Sequence, residues 1–170
     1  RSVLRLLAVS LFWSIGAFAA YPYIAEYLSA VLAFGPMEIT ASVSLWGLCA
    51  AAGVMTGGIL NDRFGAGTVV RGSLMLLVLS FLALAMATAL PPGVSLGLVM
   101  VAVAVWGFTV WSFFPAQMAR LIGAGISSQA PVALALNTST MYFGFSIGSA
   151  LGATVLGAGA IWAIGVVAAM

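Results

Sequence analysis

The chain has 170 residues, 64% hydrophobic and 5% charged, with five arginines, three acids and no histidine. Soluble domains carry about 25% charged residues, so eight charges cannot clothe a water-exposed globule of this size, and the composition specifies an integral membrane protein. The net charge of +2 comes from scattered arginines that form no basic patch, which excludes a nucleic-acid partner, and the single Cys49 allows no internal disulfide.

A membrane helix needs about 20 mostly apolar residues to cross roughly 30 Å of hydrocarbon. Between the glycine and proline breakers the sequence predicts an all-α protein of six spans. The first covers residues 3–34, is kinked where Pro22 removes a backbone donor, and ends at "FGPME". It is too long for a signal peptide, and no polar domain follows it. The second covers 40–60 and the third 68–90, the latter stopped by "PPG". The fourth covers 94–119, the fifth 131–156 and the sixth 160–170. Eleven residues make only about 16 Å of helix, so the sixth stops mid-membrane. With Arg1 in first place, the expectation is that both ends are cut.

Six crossings put the N-terminus, residues 61–67 and residues 120–130 on one side of the bilayer. Arg1, Arg5, Arg63, Arg71 and Arg120 all fall there, while the opposite loops carry no arginine and one glutamate. The positive-inside rule makes the arginine side cytoplasmic.

"GGILNDRFGAG", residues 57 to 67, sets Asp62 beside Arg63 between glycines. At the C-terminal end of span two Asp62 is disfavoured by its own helix dipole. It is expected to seek the start of span three or five, Arg63 or Arg71, a contact of about 0.3–1 kcal/mol when exposed. The alternative is a solvated loop that satisfies the charge rule and nothing more. The stretch resembles the loop signature of the major facilitator superfamily, G-x-L-x-D-R-x-G, with Gly58, Leu60, Asp62, Arg63 and Gly65 in register. Ala66 and Gly67 replace the basic residues that usually follow, and Arg71 comes four positions later. Residues 21–65 also look like the first two helices of the C-terminal half in the drug and sugar efflux branch, and "LALNTSTMYFGFSIGSALGATVLG" looks like that half's fifth helix. The resemblance implies one six-helix half of a twelve-helix secondary transporter, built as two inverted three-helix repeats.

Small residues recur at four-residue spacing in span two (Cys49, Gly53, Gly57) and in span five (Gly144, Gly148, Gly152). Such stripes let membrane helices approach closely, and the resemblance puts these two helices at the interface between halves. Polar and aromatic groups at membrane depth are the candidates for a substrate cavity. Glu26, the one carboxylate inside a span, is either an interfacial residue or a proton-sensing group facing the cavity. Tyr23 flanks the Pro22 bend, Trp106 and Trp111 lie mid-span in the fourth segment, and Asn137 opens the polar run "NTST". Aromatic walls suit amphipathic or cationic molecules through stacking and cation–π attraction; ordinary helix packing is the other account of them.

"GFSIG", residues 144 to 148, matches a nucleophile elbow, but without histidine or lysine nothing in the chain can activate Ser146. Neither an ATPase loop nor a metal-ligand cluster occurs, so no enzyme activity, cofactor or metal is expected. The resemblance implies a transporter in a bacterial inner membrane with its first residues cytoplasmic. It would move small organic molecules by alternating access, in proton-coupled efflux, with a second six-helix half and membrane lipid as partners. The competing reading is a six-helix homodimeric channel or a non-transporting scaffold.

Overall fold

The computed structural model describes residues 2–124 and 130–170; Arg1 and residues 125–129, the middle of the expected loop at 120–130, lie outside the described residues. Among the described residues seven α-helices follow one another: α1 (Ser2–Ala20), α2 (Ile24–Leu32), α3 (Pro36–Phe64), α4 (Ala66–Ala87), α5 (Pro92–Ala124), α6 (Ala130–Gly157) and α7 (Ile161–Ala169). A single 3-10 turn, Tyr21–Tyr23, joins α1 to α2 and holds Pro22, so the expected kink in the first span is a change of helix type. Among the described residues four segments are long and apolar enough to cross a membrane: Val3–Leu32, Pro36–Phe64, Ala66–Ala87 and Gly93–Ala124. Helix α6 has 28 residues diluted by its polar run at 137–140, and α7 has nine.

The expected loop at 61–67 is corrected to a break of one residue. Helix α3 runs through Asn61, Asp62 and Arg63 to Phe64, and α4 begins at Ala66. Gly65 between them adopts φ +79°, where a side chain would be strained; its N–H donates to the Asn61 carbonyl at 2.8 Å. Helix α3 passes through Gly57 and Gly58 unbroken. In hydrocarbon each backbone group must find its partner inside the segment, so α3 continues until Gly65 turns it. Pro36 at the start and Glu38 in the first turn fix the other end of α3.

Register along the helix pairs shows that successive segments alternate in direction. Helices α3 and α5 run parallel: a Cβ at Gly53 would collide with the Phe108 carbonyl, one at Gly57 with Ser112, and one at Gly107 with the Trp46 carbonyl. Helices α1 and α6 run parallel as well, with Gly144 against Ser14, Gly148 against the Ile15 carbonyl and Gly152 against the Ala19 carbonyl and the Tyr23 ring. Helices α4 and α5 are antiparallel, tied by Ser73 and Ser112 (Oγ–Oγ 3.0 Å) and by Ser95 Oγ donating to the Ala87 carbonyl at 2.8 Å. Helices α1 and α5 are antiparallel too, Gln117 Nε2 donating to the Leu6 carbonyl (2.7 Å) and to Ser10 Oγ (3.0 Å). Numbering the described helical segments in order, with α1 and α2 counted as one, the second packs on the fourth and the fifth on the first. Exchanging the first three segments with the last three converts one pairing into the other.

Both glycine stripes are therefore spent inside this chain, where backbones touch. The face of α3 away from α5 stays uncovered, with Leu48 and Met55 more than 70% exposed. Alternating directions also gather the described arginines, Arg5, Arg63, Arg71 and Arg120, with Asp62 at one end of the bundle, and place Glu26 and Glu38 at the other. The core between the ends is centred on Trp106 and Phe81, whose rings meet edge to face at 5.2 Å, with Tyr27 Oη donating to the Leu84 carbonyl at 2.6 Å.

Candidate functional site

Between the two glycine seams lies a cavity of about 810 Å³, bounded by α1, the Tyr21–Tyr23 turn, α3, α5 and α6. Nine of its fifteen lining residues are aromatic, which makes the wall a continuous ring surface with few polar groups. Helix α1 and the turn supply Trp13, Phe18 and Tyr21; α3 supplies Trp46; α5 supplies Trp106, Trp111 and Phe114; α6 supplies Tyr142 and Phe145. The rings brace one another. Phe18 stacks on Phe145 at 3.8 Å, Tyr21 leans on Trp46 at 4.9 Å, and Trp46 meets Trp106 edge to face at 6.0 Å. Behind them Trp13 stacks on Phe113 at 4.8 Å, fixing the floor. Offset and edge-to-face pairs of this kind each add about 0.5–1.5 kcal/mol beyond area burial.

The polar groups on this wall divide into satisfied and unsatisfied. Thr138 Oγ1 donates to the Leu134 carbonyl and Ser146 Oγ to the Tyr142 carbonyl, each at 3.1 Å, so both hydroxyl protons are used on their own helix. The indole Nε1 atoms of Trp13, Trp46 and Trp106 are buried without a hydrogen-bond partner. None of the chain's three carboxylates (Glu26, Glu38, Asp62) lies on the wall, and neither does any described arginine.

The structure brings together two of the five candidate cavity residues, Trp106 and Trp111. Tyr23 lies off the wall; its hydroxyl donates to the Ser149 carbonyl at 2.6 Å and fastens the turn to α6. Asn137 is fully buried beside the wall, its Nδ2 donating to Met141 Sδ at 3.2 Å and its Oδ1 without a partner. Glu26 is exposed on α2, and Pro22 is exposed within the turn. The residues that sequence reasoning missed are Trp13, Phe18, Trp46, Tyr142 and Phe145. A signal existed, because Trp13, Ala17 and Tyr21 recur at four-residue intervals on one face of the first segment, as Thr138, Tyr142 and Ser146 do on α6.

At the arginine-rich end, Asp62 is exposed in the last turn of α3. Arg63 lies over the Phe64 ring at 5.6 Å, and Arg71 Nε donates to the Gly67 carbonyl at 3.1 Å, so each cation has another described partner. Leu60 packs against the core, while Gly58 faces open space. Gln117, also missed, joins this end to α1 and accepts from Arg120 at 3.5 Å.

Comparison with known proteins places these features in context. The chain is 27% identical over 153 residues to an uncharacterised MFS-type transporter, YbcL, of Bacillus subtilis (strain 168), covering 89% of this chain and 37% of that protein. It is 30% identical over 156 residues to the inner membrane transport protein YdhP of Escherichia coli, in both strain K12 and O157:H7, covering 92% of this chain and 37% of the relative. The chain thus spans little more than a third of the length of the curated relatives it matches. No protein-family model matches it, and no solved structure matches it significantly.

Proposed function

We propose that this chain is one six-helix half of a major-facilitator-type transporter, and that its aromatic cavity is half of the pathway for a small organic substrate. The observation that carries the reading is the cavity itself. Homology to membrane transport proteins extends over about nine-tenths of the chain, and the helices that cradle the cavity are spans one, two, four and five. A second six-helix half closes the open side, and lipid surrounds the rest. The exchange of helix pairings supports two inverted three-helix repeats, an arrangement that sets binding sites near the bilayer midplane.

The close backbone contact along the seams supports alternating access. Glycines that meet backbone cannot slide without separating the helices, so the half moves as one body and the substrate path opens on either side of it. The arginine-rich end is the cytoplasmic one by the positive-inside rule, in a bacterial inner membrane, with the first helix starting inside. Asp62 and Arg63, in the last turn of α3, precede the Gly65 break at that end and serve to gate it. Export coupled to proton entry is the direction that the efflux-branch resemblance favours, with the coupling carboxylate outside this cavity wall.

Counterflow tests the reading. Proteoliposomes loaded with unlabelled compound and bathed in labelled compound, run across a panel of small aromatic molecules, will show transient accumulation for some members. Passive equilibration for every member, or a conductance without counterflow, would replace the carrier with the channel or scaffold alternative. In the same assay Asp62→Asn is expected to slow turnover about tenfold while leaving substrate affinity within twofold; equal rates would remove the gating role.

A further inference from the structure

Helix α6 gives the cavity a different wall from the other helices. Where α1, α3 and α5 present mainly rings, α6 brings Thr138 and Ser146 to one face, two helical turns or about 12 Å apart. Both residues are exposed, and so are the hydrogen bonds in which each hydroxyl proton goes to a carbonyl of its own helix. A hydroxyl carries one proton and two lone pairs. With the proton committed, Thr138 Oγ1 and Ser146 Oγ keep lone pairs to accept with and nothing to donate. Helix α6 packs on α1 and α3 packs on α5, so Trp46, Trp106 and Trp111 belong to the other side of the cavity from this strip. We propose that the α6 strip reads hydrogen-bond donors. The cavity then selects uncharged aromatic molecules with a hydroxyl or N–H on one edge, a phenol being the simplest. The ring lies on the aromatic wall and the donor meets Thr138 or Ser146.

Charge narrows the class further. No described arginine lies on the wall and the chain has no lysine, so an anion meets no cation there. A protonated amine offers donors and is drawn to ring faces. All three carboxylates of the chain lie elsewhere, however, and this half gives the amine no counter-charge. Stripping water from a charge costs far more than stripping it from a hydroxyl. A neutral donor uses the rings and the strip without that cost. An ether of the same shape stacks equally well but brings only lone pairs to lone pairs. This assignment rests on the transporter reading above, because it takes the cavity as the substrate site.

The test uses the full-length protein in lipid nanodiscs and equilibrium binding of tritiated probes, with binding to protein-free nanodiscs subtracted. The probes are fluorene, 2-hydroxyfluorene, 2-methoxyfluorene, fluorene-2-carboxylate and protonated 2-aminomethylfluorene. Hydroxyfluorene is expected to bind about fivefold more tightly than methoxyfluorene, the effect of one neutral hydrogen bond, and more tightly than the other three. Removing both acceptors, in Thr138→Val with Ser146→Ala, should bring that ratio to within twofold of unity while the melting temperature stays near the parent's. Thr140 Oγ1 also donates to its own helix, to the Leu136 carbonyl at 2.8 Å, but it lies off the wall, so Thr140→Val should keep the full ratio. If the double variant does not fold, Thr138→Val or Ser146→Ala alone carries the test, and at least one of them must halve the ratio. Equal binding of the hydroxy and methoxy probes, tightest binding of either charged probe, or no binding of any probe would overturn the assignment. So would a ratio untouched by loss of both hydroxyls, or one lowered as far by Thr140→Val. A protein that fails this test yet shows counterflow in the panel remains a transporter without this selectivity. One that shows no counterflow for any compound loses the transporter reading itself.

Discussion

The glycine seams and the cavity between them are built from opposite residue types on the same helices. Along α6, Gly144, Gly148 and Gly152 meet the backbone of α1, while Tyr142 and Phe145 on an adjoining face line the cavity. Along α3, Gly53 and Gly57 meet α5, and Trp46 turns to the cavity. Without a hydrophobic force between helices in lipid, close packing is what holds membrane helices together. The smallest residues therefore fasten the bundle, and the largest ones are free to shape a surface. The two regions should fail differently when mutated: seams by losing structure, the cavity by losing recognition.

The largest expected effect tests the seams. Gly148→Leu and Gly53→Leu each force a side chain into a backbone carbonyl and should destabilise the protein by about 3 kcal/mol or more, judged against overpacking costs. A Cβ at Gly58 meets nothing within 4 Å, so Gly58→Ala should be neutral or slightly stabilising, since alanine is favoured in helices by up to about 1 kcal/mol. Thermal unfolding of the detergent-solubilised protein separates the two classes; equal losses at Gly58 and Gly148 would dissolve the distinction.

Recognition should fail next, without structure failing. Trp111 lines the cavity and is 40% exposed, so Trp111→Ala should weaken binding of an aromatic substrate about tenfold, in line with aromatic pair energies. Its melting temperature should stay close to that of the parent. A melting point that fell as far as in the glycine variants would make Trp111 a packing residue.

A smaller loss is expected at the helix break. Gly65→Ala places a Cβ at φ +79°, ψ 144°, a conformation essentially restricted to glycine and costing about 1–3 kcal/mol. The same melting experiment reads it, and no loss would mean that α3 continues into α4 in the variant. Glu26→Gln should have the least effect. Glu26 is exposed on α2, away from the cavity, so the pH dependence of uptake should be unchanged in proteoliposomes. A flattened pH profile would instead make it the proton-sensing carboxylate.

Much of this architecture was legible before the structure. Apolar segments between breakers gave the bounds of each helical segment to within about five residues, because helices in hydrocarbon must be long and internally bonded. The arginine bias was legible too, since the bundle gathers the described arginines at one end. Other features were hidden. Four-residue spacing revealed that Gly53 and Gly148 face a neighbour, but not that the neighbour would be α5 or α1 of this same chain. Trp13 and Trp46 read as ordinary apolar positions, because only the crossing of α1, α3, α5 and α6 sets their rings beside Trp106. Tyr23 looked like a cavity residue from its place beside Pro22, whereas the 3-10 turn points its hydroxyl at the Ser149 carbonyl. The break at Gly65 fell inside the expected loop at 61–67 but was drawn too wide, since the polar run Asn61-Asp62-Arg63 reads as a loop although α3 carries it.

The central claim, a cavity that serves a carrier opening to both sides in turn, is tested most directly by access. Thr138 lines the cavity and is exposed, and Cys49 lies outside it. In full-length protein freed of its other cysteines, Thr138→Cys should react with a membrane-impermeant thiol reagent from either face of the membrane, and bound substrate should protect it from both. Reaction from one face alone, or labelling indifferent to substrate, would contradict the account.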